Sequence, residues 1–187
     1  MSRDYLAEAV NRRAWRAGET ITPAKVRRPV PPVAEGRLAW CGPFAAAVLL
    51  RETYAAAYDR CRAQVARSTY AGARDRASVI TGMLQRDLEA VLIGGGLKVA
   101  GRETFRGRGA MPGFKVPAYH RDPRPTLAAW LKTRDRSALY LVNVTGHYLV
   151  VAGDRTIDNQ VGAWVSVRET RSRRARVVAA WRLEVAA

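Results

Sequence analysis

The feature that most constrains this chain is an apolar run that begins directly after a cysteine. Trp40-Cys41-Gly42-Pro43 leads into residues 44–50, which are all apolar. Pro43 suits the first turn of a helix, because its φ is already helical and its missing N–H would have no partner there. A helix that is apolar on every side has to be buried. The stretch therefore predicts a buried central helix with Cys41 in its first turn.

A thiol in this position is a candidate nucleophile. The positive end of the helix dipole and the unpaired N–H groups of the first turn both favour the thiolate. The same N–H groups can hold the oxyanion of an acyl-transfer intermediate. The alternative is that Cys41 is a small buried hydrophobic residue, which is the commonest role of a lone cysteine.

A candidate base for this thiol lies far downstream. Residues 138–160 are rich in β-branched and aromatic side chains and are interrupted at Thr145-Gly146 and Gly153-Asp154-Arg155. This pattern predicts three short strands, with His147 opening the middle one. The alternative is that His147 is a core histidine with satisfied hydrogen bonds.

The third of these strands carries two candidates for orienting the imidazole. A two-residue turn at Gly153-Asp154, or one residue later, puts Asp158 on the sheet face of His147. A three-residue turn puts Asn159 there instead. Either side chain can accept from one ring nitrogen and aim the other at a thiolate.

In their order, these residues resemble the papain-like cysteine peptidase superfamily, and most of all its C39-like and bacterial transglutaminase-like branches. There, Cys-Gly-Pro begins the central helix, and a Gly-His-aromatic-Val-Val strand precedes one with Asp or Asn. The matching segments, within about residues 38–160, are Cys41-Gly42-Pro43, Gly146 to Val151 and Ile157-Asp158-Asn159. The resemblance implies that Cys41 is the nucleophile, His147 the general base and Asp158 the residue that orients it, with Asn159 as the alternative.

These enzymes often carry a Gln shortly before the cysteine to complete the oxyanion site. Residues 14–40 contain no Gln or Asn. A backbone N–H would therefore have to supply that hydrogen bond.

The resemblance and the order of predicted elements imply an α+β, papain-like fold, in which N-terminal helices pack on a C-terminal antiparallel sheet of about five strands. The helix that begins with the nucleophile is expected to continue to Val65, and a second is expected from about Asp75 to Ile93, ending at Gly94-Gly95-Gly96. A third helix is expected from Pro125 to Lys132, after an irregular region over residues 97–124. His120 in that region is a weaker rival base.

At 187 residues the chain suits one domain with an appendage. Residues 1–36 are predicted to form a short helix and a Pro-rich extended arm, and residues 37–187 the papain-like domain. Such an arm offers a contact for a protein partner.

Charge is the strongest compositional feature. The net charge is +16, and only four of the 32 basic residues are lysine. A chain like this is expected to adhere to polyanions, although a GC-rich genome would enrich arginine without any such role. Two predicted strands flank a connector over residues 168–176, which is expected to be a basic loop at a hairpin tip. Its candidate contacts for non-specific nucleic-acid binding are Arg168, Arg171, Arg173, Arg174 and Arg176.

The sequence thus predicts a small cysteine hydrolase that acts on a peptide or another amide, or on a thioester. The chain also resembles small papain-like proteins encoded by tailed phages. That resemblance implies the alternative, a non-catalytic structural protein of a tailed phage, with the same fold as a scaffold and arginine-rich surfaces for nucleic acid or neighbouring subunits. Two His and two Cys without ligand spacing lead us to expect neither a metal nor another cofactor. No secretory leader or apolar span of roughly 20 residues is evident. We therefore expect no membrane contact and a cytoplasmic or virion-associated protein.

Overall fold

The structure is a computed structural model, and it describes residues 40–68, 83–105 and 122–186. The predicted N-terminal helix and arm lie outside these residues. So do His120 and the first part of the helix predicted from Asp75. Within the described residues, no helix is both long and apolar enough to cross a membrane.

The described residues form helices on both faces of one antiparallel sheet, which confirms the predicted α+β class. The α-helices are α1 (Cys41–Leu50), α2 (Tyr54–Arg67), α3 (Gln85–Gly94) and the short α4 (Leu127–Trp130). The strands are β1 (Leu97–Thr104), β2 (Leu139–Val144), β3 (His147–Ala152), β4 (Arg155–Ile157), β5 (Val165–Ser166) and β6 (Val177–Val185), with a 3-10 helix over Arg171–Arg174.

The sheet has six strands in the order β1-β6-β2-β3-β4-β5. The additional strand, β1, lies in the region that was predicted to be irregular, and it pairs with β6 across a bulge between Val99 and Gly101. The hairpin predicted around residues 168–176 is wrong. The two-residue strand β5 pairs with β4 at one edge, whereas the long apolar strand β6 is inserted between β1 and β2.

Two apolar cores enclose the sheet, one on each face. Helices α1, α2 and α3 cover the first face, where Tyr148, Val150 and Ala152 of β3 point. Helix α4 covers the second face, where Leu149 and Val151 of β3 point. Strand β3 is therefore buried on both sides, and its position is fixed by packing from both.

The helix predicted to continue to Val65 is broken, so the prediction of one continuous helix is wrong. Arg51 adopts a left-handed conformation with φ 61°, which ends α1. The Thr53 side chain then caps α2 by accepting a hydrogen bond from the Ala56 N–H. Cys61 lies within α2 with no exposed surface, and burial raises the pKa of its thiol to about 12. Cys61 therefore has a packing role.

Replacing Thr53 with Ala is expected to destabilise the protein by about 1 kcal/mol, because an N-cap acceptor is lost at the start of α2. Urea unfolding followed by circular dichroism measures this change. Thr53→Ser keeps the hydroxyl and is the matched control. Equal stability of the two variants would show that the cap contributes nothing to the helix break.

Candidate active site

Three elements bring the predicted site residues to one end of the molecule. Cys41 is the first residue of α1, which packs on β3, and His147 is the first residue of β3. Asp158 directly follows β4. Because β3 and β4 are antiparallel, the start of one lies beside the end of the other. The N-terminus of α1 meets both at this point.

The register between β3 and β4 decides which polar residue faces the histidine. Ala152 pairs with Arg155, so the strands are joined by a two-residue turn at Gly153-Asp154, the first of the turns considered. Gly153 has a φ of 61°, a conformation that glycine adopts without strain. This turn selects Asp158, and not the neighbouring Asn159, as the partner of the histidine.

The Asp158 carboxylate is held from two sides. Its Oδ1 accepts hydrogen bonds from the N–H groups of Gln160 at 2.9 Å and Val161 at 3.0 Å. Its Oδ2 lies 3.2 Å from Nε2 of His147, a close charged contact that lacks the alignment of an ideal hydrogen bond. Burial raises the pKa of this carboxyl, but the histidine and the two N–H groups outweigh burial and hold it below its usual value. Asp158 is therefore ionised although its side chain is only 3% exposed.

The imidazole of His147 lies between two acidic groups. Burial alone would lower its pKa, but the contacts with Asp158 and with the Cys41 sulfur raise it to about 9. With this pKa the ring is protonated at neutral pH. Since Nε2 faces the carboxylate, Nδ1 is the nitrogen left for the sulfur.

The thiol of Cys41 is biased towards the thiolate. Burial raises its pKa, but hydrogen bonds from the His147 side chain and from the N–H groups of Tyr148 and Gly42 outweigh burial and leave it below its usual value. These contacts stabilise negative charge on the sulfur. These contacts favour a thiolate beside an imidazolium, which is the reactive form of a cysteine nucleophile.

Four residues that the sequence did not single out build the surroundings of the thiol. The Tyr148 hydroxyl donates to the Met83 carbonyl at 3.2 Å and also contacts the Asn143 side chain. The Tyr54 hydroxyl accepts from the Trp40 N–H at 2.9 Å, next to the cysteine. Of these four residues, only Tyr148 could have been found from the sequence, because it directly follows the histidine. The other three come from distant elements.

Gly42 explains one feature of the sequence motif. A Cβ at this position would lie 3.2 Å from Cβ of Met83, so any larger residue after the nucleophile would require Met83 to shift by a few tenths of an ångström. As the first residues of α1, Cys41 and Gly42 also have no carbonyl acceptor inside the helix for their N–H groups. Backbone N–H groups are therefore available beside the sulfur.

The five arginines predicted to contact nucleic acid lie away from these residues. Arg168 is exposed, as are Arg171, Arg173 and Arg174 on the 3-10 helix. Arg176 is half-buried, and its Nη1 donates to the Arg124 carbonyl at 2.7 Å. The structure does not join them to the cysteine site.

Among the described residues, no group of three or more His, Cys, Asp or Glu is arranged to hold a metal ion. Comparisons of the chain with family models, with curated proteins and with solved structures gave no match. A reaction can therefore be argued only from the side chains themselves.

Replacing Asp158 with Asn is expected to destabilise the protein by about 1–3 kcal/mol at neutral pH, because a buried charged contact with the histidine is lost. A carboxyl whose folded pKa is depressed stabilises the fold above its unfolded value, and this contribution disappears as the pH falls through the folded pKa. The two proteins should therefore converge in stability below about pH 4. Denaturant unfolding across this range measures the difference.

The matched control is Asp59→Asn, because Asp59 is 68% exposed on α2. Its difference from the wild type should be small at every pH. If Asp158→Asn is as stable as the wild type at neutral pH, the carboxylate is not paired as described.

Proposed function

We propose that this protein is a cysteine hydrolase of the papain-like kind that cleaves a peptide, another amide or a thioester. Cys41 is the nucleophile, His147 the proton carrier and Asp158 the residue that orients the ring. The observation that carries the proposal is the continuous series of contacts from sulfur to imidazole to buried carboxylate. This chemistry requires no cofactor.

In the first step the Cys41 thiolate attacks the substrate carbonyl carbon and forms a carbon–sulfur bond. The carbonyl electron pair moves onto oxygen, and backbone N–H groups at the start of α1 stabilise the oxyanion. As the tetrahedral intermediate collapses, the imidazolium gives its proton to the leaving group. The leaving amine or thiol departs, and an acyl group remains on the sulfur.

In the second step water removes the acyl group. Neutral His147 takes a proton from water, and the resulting hydroxide equivalent attacks the thioester carbonyl. Collapse of this intermediate releases the carboxylic acid and restores the thiolate beside the imidazolium. The Asp158 carboxylate keeps the ring aligned in both steps and stabilises its charge.

A non-catalytic scaffold is the competing class. Burying an ion pair costs desolvation, and apolar residues of similar size would stabilise a scaffold as well or better. The 3% exposed Asp158 has both oxygens engaged, one by the histidine and one by two backbone N–H groups. An arrangement that fixes a charge at this expense favours the hydrolase.

The proposal is tested with p-nitrophenyl acetate, an activated ester that needs no specific subsite. A Cys61→Ala protein should release a burst of about one equivalent of p-nitrophenolate and carry one acetyl group, located at Cys41 by peptide mapping. Cys41→Ser should abolish the burst, and His147→Ala should slow it by roughly 100-fold or more. The proposal would be refuted if His147→Ala were acetylated as fast as the parent, or if no acetyl group were found at Cys41.

A further inference from the structure

A cationic cavity lies at the other end of β3, across the sheet from α1. Its volume is about 890 Å³, and we call it the basic groove. Its described lining contains five cationic side chains and one carboxylate, from Asp154. The cationic residues are Lys132, Arg134, Arg136, Arg168 and Arg173.

The walls of the basic groove are fixed by backbone hydrogen bonds. The Val167 N–H donates to the Asp154 carbonyl at 2.9 Å, which holds the β5 connector against the β3–β4 turn. The Leu127 N–H donates to the Ala175 carbonyl at 2.9 Å, which holds α4 against the 3-10 helix. The cations are therefore gathered by the fold and not by chance contacts of long side chains.

Arg134 forms the buried part of the basic groove. Its residue is only 9% exposed, and its guanidinium carbon lies 5.7 Å from the Trp130 ring centre and 5.9 Å from that of Tyr140. Nη2 donates to the Gly153 carbonyl. Nε and Nη1 have no hydrogen-bond partner, and no carboxylate lies within ion-pair distance, among the described residues. The carboxylates of Asp154 and Asp135 act on this guanidinium only from beyond ion-pair distance. Its buried charge is therefore poorly compensated, and a bound anion would offset that cost.

The other four cations surround this buried one at the surface. Lys132, Arg136, Arg168 and Arg173 are all exposed, and none forms a salt bridge within the part of the chain that is described. Five cations against the single Asp154 carboxylate leave the lining of the groove with a net charge of +4, from 5 − 1. Guanidinium groups match phosphate oxygens in geometry, and like charges gathered in a cleft raise the local concentration of anions.

We propose that the basic groove binds the phosphate backbone of a nucleic acid without reading its bases. Trp130 and Tyr140 lie beneath Arg134 and are 2% and 4% exposed, so they cannot stack on bases. A membrane surface is disfavoured, because the exposed large apolar residues of the described chain, among them Ile93 and Val161, do not line the groove. Contacts with phosphate alone give binding that is independent of sequence.

This site is separate from the cysteine. His147 begins the six-residue strand β3 and the groove lies at the turn that follows it, a separation of about 20 Å along the strand. Binding at the groove therefore does not depend on the proposed hydrolase activity. Of the five arginines that the sequence predicts to contact nucleic acid, only Arg168 and Arg173 line the groove.

The test is fluorescence anisotropy of labelled single-stranded and duplex DNA, each in two unrelated sequences, over a range of salt. The wild type should bind both sequences equally, and affinity for the duplex should fall by roughly 0.9 log unit per log unit of salt for each phosphate contacted. Arg136→Gln with Arg173→Gln should weaken binding by at least about tenfold and reduce the salt slope by about 2. Both side chains are exposed, so the fold should be retained.

Arg62→Gln with Arg67→Gln removes the same charge from exposed positions of α2 and is the matched control. Its binding should remain within about threefold of the wild type, and neither double variant should change the rate of Cys41 alkylation. Equal weakening by both variants would assign the binding to overall charge and overturn the proposal. So would absence of DNA binding at low salt, or tighter binding of ATP than of DNA by the same groove.

Discussion

Cys41 is expected to react with iodoacetamide at about pH 6 at least roughly a hundredfold faster than Cys61. The two thiols differ in ionisation, since contacts with His147 lower the pKa of the first and burial raises that of the second to about 12. They also differ in access, because Cys61 has no exposed surface. Peptide mapping of the alkylated protein by mass spectrometry measures both rates in one sample.

The control for this experiment is the protein unfolded in urea, where both cysteines should react at similar rates. Comparable reactivity of the two residues in the folded protein would contradict the account. In that event Cys41 would be an ordinary buried cysteine, the alternative that its sequence leaves open.

Replacing His147 with Ala is expected to slow alkylation of Cys41 at about pH 6 by roughly a hundredfold. Without the imidazolium, the half-buried thiol of Cys41 loses the hydrogen bond and the charge that hold its pKa down. The thiolate fraction well below the pKa falls tenfold for each unit by which that pKa rises. The rate is measured as above, in a Cys61→Ala background.

Tyr148→Phe is the matched control, because the Tyr148 contact with the sulfur comes from the backbone N–H, which the variant keeps. Its alkylation rate should stay within about threefold of the parent. A His147→Ala protein that reacts as fast as the parent would show that the thiol is not activated by the histidine.

Much of the site could be predicted because it depends on local sequence. Pro43 and the apolar residues after it place Cys41 at the start of a helix, and the structure confirms that position. Gly153-Asp154 forms one of the short turns considered, which fixes Asp158 by register. Adjacent residues determine short turns and helix starts, so sequence patterns can predict both.

The parts that failed depend on contacts between distant segments. The sequence of β6 does not show that this strand is inserted between β1 and β2. Its hydrophobic pattern would be the same at another position in the sheet. The break at Arg51 was missed for another reason, because the only local signal for it is Thr53, whose side chain caps α2. The apolar stripe continues across the break, so periodicity alone favours one helix.

The position of His147 shows a further limit of strand patterns. Strict alternation along β3 would send its side chain with Leu149 and Val151 into the core of α4, away from α1. The contact with Cys41 exists because His147 is the first residue of the strand, directly after Gly146 with a φ of 80°. Alternation weakens where the pleat begins, so strand ends can carry side chains that the interior of a strand could not place.

The most direct test of the central claim is a titration of the Cys41 thiolate by its ultraviolet absorbance in the Cys61→Ala protein. We expect thiolate to be present at pH 7, and Cys41→Ser to remove that absorbance. The usual pKa of a cysteine thiol is 9.0, and the contacts with His147 hold the pKa of Cys41 below that value. Thiolate that appears only at or above pH 9 would contradict the account, because the sulfur and the imidazole would then not form the charged pair on which the proposed reaction depends.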